Sequence, residues 1–180
     1  MFKIPKNINF LIFFYLFFNV FLSIPQANED YPLHNIVQYE NPKPISSVVF
    51  EDFLGNDVNL NDYAGSLVII NFWATWCAPC KEEMPSLDRL YQNNKLNNLV
   101  VFAVNTEQPN TTKTKKFFAD LNIKKLEIFF DQNLNFVKEF KLRGVPTTVL
   151  INKKGEEFAR IIGEVDFQDK KFLKWLLNYD

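Results

Sequence analysis

Cysteine and histidine are scarce: 180 residues hold two cysteines and one histidine. A structural zinc site takes four ligands, mostly from those two types, so Cys77, Cys80 and the remote His34 do not furnish one and no metal is expected. No cysteine follows the N-terminal apolar run, which excludes a lipoprotein anchor at that place. No basic patch is present to hold nucleic acid, and no acidic block marks a disordered tail. Internal repeats are absent as well.

What is present begins with a leader. Lys3 and Lys6 precede an apolar stretch from Ile8 to Ile24, broken only by Asn9, Asn19 and Ser23. A positive segment followed by an apolar one directs export and leaves the lysines on the cytoplasmic side. The stretch is long for a cleaved signal and short for a full span of about 20 residues. Pro25 stands where a cut after Ala27 would want a small residue. Residues 1–27 are therefore read as a signal peptide or a membrane anchor, with residues 8–24 as the anchoring stretch if uncleaved. Both readings put the folded part in the periplasm or on the extracytoplasmic face of a plasma membrane. Without Lys3 and Lys6 the remainder carries 18 basic and 21 acidic residues, a net charge of −3.

Residues 28–44, with Pro32, Pro42 and Pro44 among Asn, Glu and Asp, read as an extended tether. His34 lies in it and is assigned no role. One domain of ordinary size follows, residues 45–180, and the hydrophobic share of 47% suits a packed core. Residues 47–50 and 58–60 flank Gly55-Asn56-Asp57 as an N-terminal β-hairpin. Leu67 to Trp73 and Leu99 to Asn105 are near-continuous apolar runs, the mark of strands buried on both faces. Helical patterns cover 78–93, 111–122, 134–140 and 166–178. A short strand is expected over 126–130, and a hairpin over 147–162 turns at Asn152-Lys153-Lys154-Gly155. The fold class is α/β, a mixed central sheet with helices on both faces.

Cys77 and Cys80 sit three positions apart at the start of the helix 78–93. Two thiols at that spacing can close into a disulfide and open again, and a helix N-terminus favours the thiolate of the first. A two-residue spacer closes a very short loop and removes little unfolded-state entropy, so it makes a poor structural staple. This pattern points to thiol–disulfide exchange, with no cofactor beyond the redox-active Cys77–Cys80 disulfide itself. Cys77 is the expected nucleophile and Cys80, one turn further in, the resolving thiol. Glu83 lies three residues past Cys80 and shares its helix face.

The run Trp73-Ala74-Thr75-Trp76-Cys77-Ala78-Pro79-Cys80, with Gly144-Val145-Pro146-Thr147 far downstream, resembles the thioredoxin superfamily. Glu82-Glu83-Met84-Pro85, the N-terminal hairpin ending in Leu60-Asn61-Asp62-Tyr63-Ala64-Gly65 and the leader narrow the resemblance to exported TlpA/ResA/DsbE-type thiol–disulfide oxidoreductases. It covers roughly residues 45–180 and implies a thioredoxin-like fold. It also implies that Pro146 is a cis-proline beside Cys77 and that the Val145 backbone pairs with an extended substrate peptide. Trp76 would contribute to the docking surface, and Glu83 would match the acidic residue kept near the thiols. A carboxylate there can shuttle a thiol proton or raise a thiol pKa. Asn71 departs from cytosolic thioredoxins, which hold a buried Asp at the matching place; Asn cannot titrate, so proton transfer would fall to Glu83 or water.

The resemblance implies a reductase of client-protein disulfides, in cytochrome c maturation or oxidase assembly, supplied by a membrane electron donor. A general oxidase or isomerase would use the same cysteines, and a non-catalytic tethered module would keep them as a fixed disulfide. A peroxidatic run would need Thr and Pro where Ala74 and Ile70 stand. The expected partners are client thiols and disulfides, and a monomer is expected.

Overall fold

The computed structural model describes residues 34–180. The leader 1–27 and residues 28–33 of the expected tether lie outside the described residues. Among those described, no helix is long and apolar enough to cross a membrane.

Strand β4 (Leu67–Trp73) is buried at all seven positions. It pairs in parallel with β5 (Leu99–Asn105) on one side and antiparallel with β7 (Thr147–Ile151) on the other. A strand so enclosed must be apolar on both faces, which is what the continuous run Leu67-Val68-Ile69-Ile70 provides. Outward from β5 come β6 (Ile128–Phe130), β2 (Val49–Asp52) and β3 (Asp57–Asn59). Outward from β7 come β8 (Glu156–Ile162) and β1 (Ile36–Pro44). The sheet is mixed and has eight strands in the order β1-β8-β7-β4-β5-β6-β2-β3. Strands β2 and β3 pair antiparallel, Phe50 opposite Val58.

Side chains of β4 alternate between two cores. Leu67, Ile69 and Trp73 join Met84, Leu87 and Leu90 of α1 (Ala78–Tyr91), Phe117 and Phe118 of α2 (Thr111–Asp120), and Phe172 and Leu176 of α4 (Lys170–Leu176). Val68, Ile70 and Phe72 pack instead with Phe50, Phe102 and Phe136, the last from α3 (Asn135–Glu139). Phe50 meets the rings of Phe102, Phe129 and Phe136 at 4.6–5.5 Å between centroids. Helices therefore cover both faces of a thioredoxin-like sheet.

Residues 36–44, read from sequence as tether, form edge strand β1 against β8. The prolines misled because Pro42 and Pro44 occupy an edge strand whose register shifts between Gln38 and Lys43, where a missing N–H is tolerated. The C-terminal helix secures this strand: Trp175 Nε1 donates to Gln38 Oε1 at 3.2 Å, and Gln38 Nε2 donates to the Tyr179 hydroxyl at 3.0 Å. Helix α4 starts at Lys170 rather than near Asp166, because Asp169 turns the chain and its carboxylate accepts from the N–H groups of Lys171 and Phe172.

Candidate active site

Strand β4 ends at Trp73, and four residues later Cys77 caps the N-terminus of α1. Its Sγ accepts the Cys80 N–H at 3.2 Å, the geometry in which a helix N-terminus supports negative charge on sulfur. Pro79 sits in the first helical turn, where a missing N–H leaves no bond unmade. Cys77 and Cys80 are joined as a disulfide, with Cα atoms 5.3 Å apart. Sequence reasoning expects Cys77 to be the more exposed thiol. The difference is small: Cys77 is 3% exposed and Cys80 fully buried, because both pack into the core with Trp73, Ala74 and Met84. Trp76 is the residue that projects, at 68% exposure.

The register of β4 with β7 fixes the other half of the site. Phe72 pairs with Thr147, so Val145-Pro146 enters β7 at the end of the sheet where β4 gives way to the Cys77 loop. The Val145–Pro146 bond is cis. Among the described residues no intramolecular hydrogen bond engages the Val145 backbone, while Pro146 C=O accepts from Gly163 N–H and Gly144 C=O from the Thr147 hydroxyl. An extended peptide would find that backbone available.

Glu83 is 2% exposed beneath this surface. Its Oε1 accepts from Asn71 Nδ2 at 2.7 Å and its Oε2 from Val165 N–H at 3.2 Å. Asn71 is the cross-strand neighbour of Thr148 and donates to its Oγ1 at 2.9 Å. Burial pushes the Glu83 carboxyl up to about 8, with a further push from Glu164; the bonds from Asn71 and Val165 oppose the rise without overcoming it. A cleft of about 520 Å3 reaches Glu83 and is lined also by Glu82, Arg89, Glu164 and Asp166. His34 lines its rim. Burial thus holds a carboxyl well above the usual carboxylate range on the Cys80 face of α1. Asn71 Oδ1 is buried without a hydrogen-bond partner, so the Glu83 pocket keeps an unused acceptor.

One residue of the site escaped the sequence reading. Glu107, just past β5, accepts the Thr75 N–H and so ties down the loop between Trp73 and Cys77. Burial would raise its pKa, but the Lys113 ammonium at 2.8 Å and the Thr75 N–H hold it below the usual carboxylate value. Nothing in the spacing of Glu107 from Thr75 announces the contact, which closes only when β4 and β5 align. Among the described residues no three His, Cys, Asp or Glu side chains converge as ligands for a metal.

Residues 43–156 match the AhpC/TSA family. The chain is 37% identical to the thiol-disulfide oxidoreductase ResA of Halalkalibacterium halodurans over 108 residues, which cover 60% of each chain. It is 35% identical to ResA of Geobacillus kaustophilus over 121 residues, 67% of this chain and 68% of the relative. The alignments thus span 60% and 68% of the two relatives' length. StoA of Bacillus subtilis shares the fold with a TM-score of 0.60 at 25% identity, over 72% of this chain and 97% of StoA. The chain belongs to the AhpC/TSA family and, within the thioredoxin superfamily, to the ResA-like thiol–disulfide oxidoreductases.

Proposed function

We propose that this member of the family is an extracytoplasmic reductase of client-protein disulfides. The observation that carries the reading is the Cys77–Cys80 pair at the N-terminus of α1, with the buried Glu83 carboxyl set one helical turn beyond Cys80. In the reduced protein the Cys77 thiolate attacks one sulfur of a client disulfide. The client S–S bond breaks, its first sulfur leaves as a thiolate and takes a proton, and Cys77 holds the second sulfur in a mixed disulfide. Cys80 then passes its proton to the Glu83 carboxylate and attacks Cys77 Sγ. The second client sulfur leaves as a thiolate, and the Cys77–Cys80 disulfide closes. Two electrons have moved from protein to client, and a dithiol donor at the membrane would return them.

Several features support docking of an extended client: the free Val145 backbone, the cis Val145–Pro146 bond and the exposed Trp76. Pro146 and Val145 are the substrate-binding residues of this reading, with Trp76; Cys77, Cys80 and Glu83 are the catalytic ones. The leader 1–27 would deliver the domain outside the plasma membrane as a signal peptide or an anchor. Clients in cytochrome c maturation or oxidase assembly fit a dithiol reductase there. Peroxidase chemistry is disfavoured, because Ala74 and Ile70 stand at the Thr and Pro places of a peroxidatic run.

The test is a single-turnover assay with the reduced full chain and a peptide bearing a Cys-Xaa-Xaa-Cys disulfide. Stoichiometric appearance of peptide thiols with closure of Cys77–Cys80 supports the reading. Net transfer in the opposite sense, with the oxidised chain forming the peptide disulfide to completion, would replace reductase by oxidase.

A further inference from the structure

A groove of about 670 Å3 lies beside the cis Val145–Pro146 bond, between the loop 140–147 and the strands β1 and β8. Its wall is apolar where Val37 and Ile162, 45% and 60% exposed, stand near Leu142 and Val145. Its charge is unbalanced. Four cations, Lys43, Lys141, Arg143 and Arg160, line it against two carboxylates, Glu139 and Glu157, a net of +2.

The pairing within the groove sharpens that imbalance. Arg160 and Glu157 neutralise each other through bonds of 2.7 and 2.9 Å, and the guanidinium also donates to the Phe140 carbonyl. Glu139 accepts the Ser46 N–H at 3.1 Å. The Lys43 ammonium rests over the Tyr39 ring, 3.5 Å from its centroid, and among the described residues it forms no salt bridge. Lys141 and Arg143 are exposed, and among the described residues neither forms a salt bridge or side-chain hydrogen bond. The uncompensated charge therefore stands at the approach to Val145, with Arg143 two residues before it.

We propose that this groove selects clients whose extended segment next to the target cysteine carries Asp or Glu side chains. The proposal rests on reading Cys77–Cys80 as a thiol–disulfide exchange pair. A peptide laid along the Val145 backbone advances about 3.3 Å per residue and turns alternate side chains to the same side, so a carboxylate a few residues from the part paired with Val145 would face Arg143 and Lys141, which precede Val145 in the same groove wall. A guanidinium binds a carboxylate in a two-bond fork, and a lysine adds a point charge. The exposed Val37 and Ile162 offer apolar contact to the residues between. The chain as a whole carries a net charge of −1, so a diffuse field would favour basic peptides; an acidic preference must come from a local cation cluster.

The experiment uses the reduced full chain and two synthetic peptides with identical Cys-Xaa-Xaa-Cys disulfides, one flanked by Asp and Glu, the other by Lys. The readout is the ratio of their second-order reduction rates, which is internal to each protein and unaffected by differences in overall activity. The expected ratio favours the acidic peptide about tenfold at low salt and falls below about twofold at 1 M salt. In the double variant Lys141→Asn, Arg143→Gln the ratio should fall close to one at low salt. Asn is chosen because Lys141 has φ 48°, which Asn tolerates. A small neutral aromatic disulfide serves as a control for exchange itself.

If wild type reduces the small disulfide but shows no acidic preference, the groove proposal is overturned and the exchange reading stands. A preference that survives in the double variant or in high salt also overturns it. Failure with the small disulfide as well as with both peptides would overturn the exchange reading beneath it.

Discussion

Asn71 Nδ2 stands 2.7 Å from Glu83 Oε1, and both residues are buried between β4 and α1. Among the described residues the amide is the one side-chain donor to this carboxyl, which burial holds well above the usual carboxylate range. A neutral donor permits Glu83 to ionise near pH 8 without fixing it in that state, which suits a group that must take a proton and return it. Replacing Asn71 by Ala removes the donor from both Glu83 and Thr148. The Glu83 pKa should rise further, by about one to two units, since a hydrogen bond to a charged group contributes about 1.5–3 kcal/mol. Infrared titration of the carboxyl band in the disulfide form measures it.

Stability should depend on pH through the same group. The folded pKa of Glu83 lies near 8 against 4.5 for the free group, so the folded state holds a proton that the unfolded chain releases. Its contribution is full below about pH 4.5, declines as pH rises, and is lost above about pH 8. Glu83→Gln cannot ionise, so its stability should stay flatter over that window and exceed wild type at pH 8. Denaturant melts of the oxidised proteins at pH 5 and pH 8 check the sign. A wild-type curve that rises between those values relative to Glu83→Gln would contradict the assignment.

The two cysteines should separate in mutants. Cys77→Ser removes the attacking thiol and should abolish transfer to clients. Cys80→Ser should still attack but leave the mixed disulfide unresolved, so a covalent client adduct accumulates and is visible by mass under non-reducing conditions. Adduct formation in Cys77→Ser instead would reverse the assigned roles.

Glu107 should act on stability of the Trp73–Cys77 loop. Glu107→Ala leaves the Thr75 N–H without its acceptor and is expected to lower stability by about 1–3 kcal/mol. Glu107→Gln, which retains an oxygen acceptor, should lose less. Because the Glu107 pKa is lowered in the folded state, its contribution is present above the ordinary carboxylate range and disappears as pH falls through the folded value. Thermal melts at pH 7 and pH 3 distinguish these cases.

Much of this site could be read in the chain. The apolar run Leu67–Phe72, the spacing of Cys77 and Cys80, and Val145-Pro146 ahead of a β-branched run are local signals, and they place the redox pair and its neighbour at one end of a buried strand. Glu83 was legible as a position on the Cys80 helix face; its shifted pKa was not, because the shift comes from burial under elements more than 80 residues away, around Val165. The Asn71–Thr148 contact spans 77 residues and depends on register, which no local pattern carries. Strand β1 was hidden for the opposite reason: its prolines speak for an extended tether, and only the partners β8, Trp175 and Tyr179 make it part of the sheet.

Trp76 should divide stability from function. At 68% exposure its replacement by Ala should change stability by no more than about 0.5 kcal/mol, while the rate with peptide clients falls several-fold. Equal loss with a small disulfide would assign Trp76 to thiol reactivity rather than docking.

The reduction potential of the Cys77–Cys80 pair, measured in the full chain against a glutathione or dithiothreitol buffer, decides whether this protein gives electrons to client disulfides or takes them. A dedicated reductase should show a value near or below the thioredoxin range of about −270 mV. A value near the strongly oxidising range of about −120 mV would contradict it and make the protein a donor of disulfides.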